Sequence, residues 1–492
     1  MITEKFIKNK YLIVLGSIFL LEAVSYFGYL NGAVNVFAFL GLSIAFAFLC
    51  IFSFPVALLV ALAELIIGSK GYLFYFDLAG PQLSIRITFW AILMTFWAIN
   101  FTRRLLKDRQ KTLAPFRNSP HLKAYTFLGT FVVLGVGVAL IRHNAFSNWF
   151  FDLNAWVYFL ILLPWLDYFG QAEDRQKVWN DILIIGAAAI SWLALKSLAM
   201  LFIFTHFSFE SVFSLYRWIR TTGVGEVTLM PNGFYRVFFQ SQIYLVFIWF
   251  FTFFAFYTAK DKKTWLLSAI ALVISTAVII LSFSRSFWIG MLGGGLAAAI
   301  ISFNVLSWKK WIKSWILVFI FSVLAFSLVL GIAKFPFPKP TKDFSASSLA
   351  ARAEIDTNEA ALASRWALLP ELWKKIKAEP ILGSGFGATV TYQASDPRVL
   401  EINSLGTYTT YAFEWGWLDL WLKLGLFGVL AYLYLLITVI KANLELKSTI
   451  GNSFAIGLVA LMFLHTFTPY LNHPLGIMFI ILASLYPGFK ES

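Results

Sequence analysis

The stretch SFSRSFWIGMLGGG, residues 282–295, sets one arginine, Arg285, at the seam between two long apolar runs. A guanidinium there has two readings. It anchors a helix end among lipid headgroups by snorkelling, or it offers its planar fork of donors to phosphate oxygens. Arginine costs from about 2.5 to above 10 kcal/mol at the centre of a bilayer, depending on the method, but little at the interface, so position alone does not choose. The flanks favour a ligand. Ser284 and Ser286 add hydroxyl donors, and GMLGGG supplies small residues that let neighbouring helices approach closely.

Other residues invite the same question. Arg365, in ASRWALLPELW, is either a solvated helix charge or a second anion contact near a helix start, with Ser364 placed to cap that helix. The glycine-rich ILGSGFGATVTYQASDPR, with Gly383 and Gly385, reads as a connector or as a backbone nest for an anion. It lacks the lysine–serine pair and the strand–loop–helix setting of a nucleotide loop. TTYAFEWGWLDLWLKLGLFG, residues 409–428, holds Tyr411 and two carboxylates, Glu414 and Asp419, at or inside an apolar run. Ionised groups there are expensive and are usually paired or functional. Glu414 is either an interfacial acid paired with an arginine or a general base. Trp415, Trp417 and Trp421 fit an interfacial belt better than a sugar platform.

Arg217, Arg220, Glu226 and Arg236 lie in a further polar segment. Arg236 immediately precedes an apolar run, where it either anchors that run or reaches the same cavity as Arg285. His121, His143, His206, His465 and His473 show no metal-ligand spacing. The early loops lack a close acidic pair for a divalent cation. Neither a metal nor a cofactor is expected.

These residues must be positioned by membrane helices. The chain has 492 residues, 60% of them hydrophobic and only 13% charged, with a mean hydropathy of +0.77. No soluble domain of this size hides that much apolar surface. The net charge of +14 is no nucleic-acid signal, because the basic residues sit in short loops between apolar runs. The lone Cys50 excludes an internal disulfide framework. The basic start MITEKFIKNK leads into an apolar run without a cleavage signature, so a retained first helix is expected.

Apolar runs at about 11–30, 34–50, 53–68, 87–102, 124–141, 152–170, 182–205, 238–258, 264–283, 286–305, 312–333, 415–440, 453–470 and 474–488 predict an all-α integral membrane protein of roughly 12–14 spans. If Lys5, Lys8 and Lys10 are cytoplasmic, alternation puts every strongly basic short loop on the cytoplasmic face. Both termini are then inside. The expected division is a helical bundle at 1–333, one large extracytoplasmic loop at 334–414, and C-terminal helices at 415–492. Within the loop, SASSLAARAEIDTNEAALASRW suggests helix. SRWALLPELWKKIKAEP carries Trp366, Leu369, Trp373 and Ile376 at the spacing of a helix lying on the membrane surface.

The order of these features resembles the O-antigen ligase and O-antigen polymerase family of GT-C-type membrane glycosyltransferases. The family's serine–arginine step between two central helices is matched by FSRSFW. Its arginine–tryptophan helix, proline and glycine-rich turn are matched by SRWALLPELWKKIKAEPILGSGFG, and its glycine–leucine–x–glycine pattern by LGLFG. The resemblance implies that Arg285 and Arg365 bind the pyrophosphate of a glycan carried on a polyprenyl (undecaprenyl) lipid, with Arg236 in reserve. The family often has a histidine at the start of the late helix. Counting back from Gly425, that position holds Glu414, which becomes the candidate catalytic base. Ser284, Ser286, Gly383, Gly385, Tyr411 and Asp419 are supporting candidates.

The expected activity is therefore transfer of a glycan to an acceptor hydroxyl on a lipid, glycan or protein, in cell-surface polysaccharide synthesis at the outer face of the cytoplasmic membrane. Two rivals stand beside it. A lipid-linked oligosaccharide flippase or other transporter predicts pseudo-symmetric halves and broken helices at mid-membrane, whereas here the halves look unlike and the polar residues gather on one face. A non-catalytic assembly subunit predicts an outer loop that only binds a partner.

Overall fold

The computed structural model describes residues 2–77, 82–230, 233–342, 360–395 and 397–490. Each predicted run is helical over most of its length, with 152–170 divided between two helices, 238–239 in a strand and 466–470 beyond a helix end. In chain order the helices are α1 (Ile2–Leu30), α2 (Gly32–Phe52), α3 (Phe54–Gly68), α4 (Ile85–Lys107), α5 (Arg109–Arg117), α6 (Leu122–Ile141), α7 (Phe146–Val157), α8 (Leu162–Gln171), α9 (Arg175–His206), α10 (Phe209–Thr221), α11 (Ile243–Thr258), α12 (Lys262–Leu281), α13 (Arg285–Val305), α14 (Trp308–Ala333), α15 (Ala360–Ala378), α16 (Pro397–Ile402), α17 (Gly416–Glu445), α18 (Thr449–His465) and α19 (Pro474–Lys490). Among the described residues, eleven helical stretches are long and apolar enough to cross a bilayer, α7 and α8 counting as one, and α3, α18 and most of α19 are shorter apolar helices. The protein is a multi-pass, all-α membrane protein.

The helix ends follow local chemistry. Side chains of Asn31, Ser84, Asp108, Asp174, Asp261 and Ser448 each accept a backbone N–H of the helix they precede, satisfying donors that the first turn leaves orphaned. At Asp261 those bonds from Thr264 hold the carboxyl below its ordinary range.

The sequence did not announce three short antiparallel ribbons: β1 (Tyr75–Asp77) with β2 (Gln82–Ser84), β3 (Gly225–Leu229) with β4 (Tyr235–Phe239), and β5 (Val390–Gln393) with β6 (Thr407–Thr410). The polar segment before α11 is thus partly sheet. The 334–414 stretch holds a ribbon as well as helices. The helix expected over residues 345–366 lies largely outside the described residues, and its described part begins α15 at Ala360.

The chain forms two compact units. The first comprises residues 1–118, 161–287 and 298–349; the second comprises 119–160, 288–297 and 350–492. Among the described residues, unit 1 buries its carboxylates and basic side chains as pairs. Lys196 on α9 meets Glu22 on α1 at 2.5 Å, both nearly without solvent exposure. Arg86 on α4 meets Glu64 on α3 at 2.9 Å and also donates to the Ser69 carbonyl. Breaking such a pair strands a charge in low dielectric, which costs about 3–5 kcal/mol.

Unit 2 is organised on α17, which packs on α6, α15, α18 and α19. Gly290 and Gly293 of α13 lie against α18, where a Cβ at Gly290 would come 3.1 Å from the Ala460 carbonyl and one at Gly293 would enter the Phe463 ring. The small residues after Arg285 therefore do let two helices approach. α15 packs inward by a second stripe, distinct from the one picked out in the sequence. Leu368, Leu372 and Ile376 are buried in a cluster with Ala388, Val390, Phe413 and Leu422, while Trp366 and Trp373 stay exposed and meet Trp415 and Trp421 edge-on at 5.4 and 5.5 Å. Of the four residues read as the apolar stripe, only Ile376 is on the buried face.

α17 changes direction at Gly425, whose φ of +69° is accessible to glycine at little cost. The break frees Leu426 N–H to donate to the Pro380 carbonyl at 2.9 Å, and a Cβ at Gly425 would collide with Ile381 and Leu382. Gly425→Ala should destabilise by more than the about 1 kcal/mol typical of a tolerated glycine change. The expected readout is a clear fall in melting temperature and monodisperse yield in detergent; unchanged values would mean that this joint is not tight.

Candidate active site

In unit 1 the seam at Arg285 is a tight turn. α12 ends at Leu281 with Ser282 as its cap, Phe283 takes a φ of +49°, and Arg285 opens α13. Ser284 and Ser286 hydroxyls bond to each other at 2.9 Å, so one of their two protons is committed. The ribbon β3–β4 delivers Arg236. Its alternation buries Tyr235, Val237 and Phe239 and turns Arg236 and Phe238 to the other face. Arg236 Nε donates to the Ser282 carbonyl at 2.9 Å, and its guanidinium lies over the Phe238 ring at 4.8 Å. Phe238 in turn packs on Phe287. Arg236 is thus held by backbone and aromatic contacts against the turn from which Arg285, some fifty residues on, opens α13.

In unit 2 the head of α17 meets α15. Arg365 forms an ion pair with Glu414, and the indole N–H of Trp415 donates to the Arg365 carbonyl at 3.0 Å. Both members of the pair remain partly exposed. Tyr411 follows the end of β6, half-buried, three residues before Glu414. Ser364 does not cap α15. It lies inside that helix, and its hydroxyl accepts the N–H of Ser395 at 3.2 Å. Arg365 accordingly sits beyond the first turn rather than at a helix start, where the field of the dipole would be strongest.

The glycine run is a packing joint. Gly383, Gly385 and Gly387 all have φ near +75°, and a Cβ on each would strike the backbone of Gly425, Ala139 and Trp149 respectively. Backbone N–H groups along the run are already satisfied: Gly383 by Glu379 O, Ser384 by Leu422 O, Phe386 by Gly135 O and Gly387 by Asp152 Oδ2. These four donors, that of Gly383 among them, are spent on the protein. Asn144 Nδ2 clamps the same run from outside through the Ser384 and Phe386 carbonyls.

Asp419 does not face solvent. It is buried and paired with Lys423 at 2.5 Å, one helical turn on, and its second oxygen accepts from Asn472 Nδ2 at 2.9 Å. Lys423 also meets Asp152 on α7 at 2.5 Å, and Asp152 takes the Gly387 N–H with its other oxygen. Every oxygen of the two carboxylates has a partner. Sequence reading singled out neither Lys423 nor Asp152. The signals were an opposite charge four residues after Asp419 inside an apolar helix and a lone acid in an apolar run.

His465 is fully buried at the end of α18. Its Nδ1 accepts from Leu471 N–H, and its ring meets Trp417 edge-on at 5.1 Å. The head of α17 approaches it so closely that a Cβ at Gly416 would overlap it.

The model of the O-antigen ligase family matches residues 270–433. These residues are similar to an O-antigen ligase domain. The match covers about a third of the chain and contains Arg285, Arg365, the glycine run, Glu414 and Asp419; Arg236, Asp152 and His465 lie outside it. No curated protein is significantly similar in sequence. The match, on a multi-pass helical framework, supports a glycosyltransferase-like role in polysaccharide synthesis.

Lys423→Met should leave Asp152 and Asp419 buried without their common cation, at a cost of about 3–5 kcal/mol. Thermal melting should show a large drop, with substantial recovery in the triple variant that adds Asp152→Asn and Asp419→Asn. A single variant as stable as the parent would mean that the cluster contributes nothing.

Proposed function

We propose that this protein transfers a glycan from a polyprenyl (undecaprenyl) pyrophosphate to an acceptor hydroxyl at the outer face of the cytoplasmic membrane. The observation that carries the reading is the turn at residues 282–286, where Arg285 opens a helix and Arg236 is bonded to the same turn. A diphosphate leaving group needs positive charge where negative charge grows, and fixed donors supply it without reorganisation. Arg236 at that turn and Arg285 at the start of α13 are the proposed source of that charge, with Arg365 a further candidate cation.

In the proposed reaction the acceptor oxygen attacks the anomeric carbon of the first sugar. The bond from that carbon to the pyrophosphate oxygen breaks, and the lipid pyrophosphate departs with the electron pair. The acceptor proton passes to Glu414, which the Arg365 ion pair holds in place at the head of α17. Attack opposite the leaving group inverts the anomeric centre. The leaving group is already an anion, so a strong general acid is unnecessary, and the reaction asks for no metal ion. Lipids, glycans and proteins all present suitable hydroxyls.

The test is transfer by purified protein from a lipid-pyrophosphate glycan, with a chelator present and several acceptors. Arg285→Ala and Arg365→Ala should lower turnover by about 10²-fold or more. Glu414→Gln should cost about 10²–10⁴-fold. Normal turnover by Arg285→Ala would remove that residue from the site, and normal turnover by Glu414→Gln would remove the base. No turnover with any acceptor would instead favour an assembly subunit.

A further inference from the structure

A cavity lies in unit 1 beside the basic end of α4. It has a volume of about 360 Å³ and is bounded by the start of α3, the last turns of α4 and the end of α8. Phe54, Trp97 and Tyr168 form its aromatic wall, and Arg103, Arg104 and Asp167 its charged floor.

The charges are not equally committed. Asp167 is buried and saturated: Arg104 grips both of its oxygens, Trp97 Nε1 donates to it at 2.9 Å, and Gln171 adds another bond. Its negative charge is cancelled by Arg104. Arg103 lines the same cavity and is exposed, with no hydrogen bond or ion pair among the described residues. The cavity therefore has one spare cation. Lys107, Arg109 and Lys111 follow on the same connection and add to the local positive potential.

A mixed wall of indole and phenol rings suits the boundary between headgroups and acyl chains. Basic pockets between membrane helices on the face marked by basic loops are suited to anionic lipid headgroups. We propose that this cavity binds the phosphodiester headgroup of an anionic phospholipid from the adjoining leaflet. Arg103 meets the phosphate, Asn100 is available to a headgroup hydroxyl, and the rings of Trp97 and Tyr168 border the glycerol and upper acyl chains. The inference is independent of the transfer reaction.

The experiment uses the full chain, delipidated in a neutral detergent, with melting followed against added phosphatidylglycerol, phosphatidylcholine or inorganic phosphate. Phosphatidylglycerol should raise the melting temperature saturably, and the other two should not. Arg103→Gln, an exposed substitution outside the proposed transfer machinery, should weaken that lipid's apparent affinity about fivefold. Lys111→Gln, on the same face but outside the cavity, should leave it unchanged. Equal stabilisation by phosphatidylcholine would contradict an anionic requirement. Full stabilisation by inorganic phosphate would mean a soluble-anion site. Equal loss in both variants, or none in Arg103→Gln, would reduce the effect to diffuse surface charge and overturn the proposal.

Discussion

Lys423 carries an ammonium roughly 10 Å into an apolar helix, and the second unit is arranged to neutralise it. An isolated charge at that depth would cost several kcal/mol. Asp419 compensates from one turn earlier on α17 and Asp152 from α7, each at 2.5 Å. Asp152 then holds Gly387, and Asn472 holds Asp419. One buried cation thus ties together α7, α17, the turn before α19 and the glycine run that follows α15. The run needs glycines because it passes within backbone contact of α6, α7 and the break in α17. With those joints set, the apolar face of α15 lies on α17, and Arg365 reaches Glu414.

The first unit solves a related problem differently. The turn between α12 and α13 must reverse an apolar chain in very few residues. Serine hydroxyls satisfy its backbone groups, and Phe283 accepts a left-handed conformation. The β3–β4 ribbon closes over the turn through Arg236 and Phe238, with Phe287 beneath. Arg236 is thereby fixed where α12 ends and Arg285 opens α13. The proposed reaction uses that corner to meet the charge of a departing diphosphate.

Apolar run length made the helices legible, because lipid offers backbone groups no partner and forces helix wherever such a run spans. The ribbons were not legible. Strands of three to five residues, paired locally, carry too little alternation to stand out from a loop. On α15 two apolar stripes coexist at helical spacing, and the sequence alone did not show that Leu368, Leu372 and Ile376 would be the ones packed inside. The pairing of Arg365 with Glu414 was one of two readings open at the sequence level, since nothing along the chain says which cation a carboxylate will find. Asp152 and Lys423 escaped notice because each looks like an isolated charge until three-dimensional proximity joins them. Glycines 383 and 385 resembled an anion cradle by composition, and only their contacts reveal that their neighbours are helices.

The most direct test of the transferase account is the identity of the lipid released. Purified protein would be given a glycan donor labelled in both phosphates of its polyprenyl pyrophosphate, together with an accepting hydroxyl compound. The account predicts one free polyprenyl pyrophosphate for each glycan joined to the acceptor, with the anomeric configuration of the first sugar inverted. Release of the monophosphate, retention of configuration, or relocation of the intact donor without bond cleavage would contradict it.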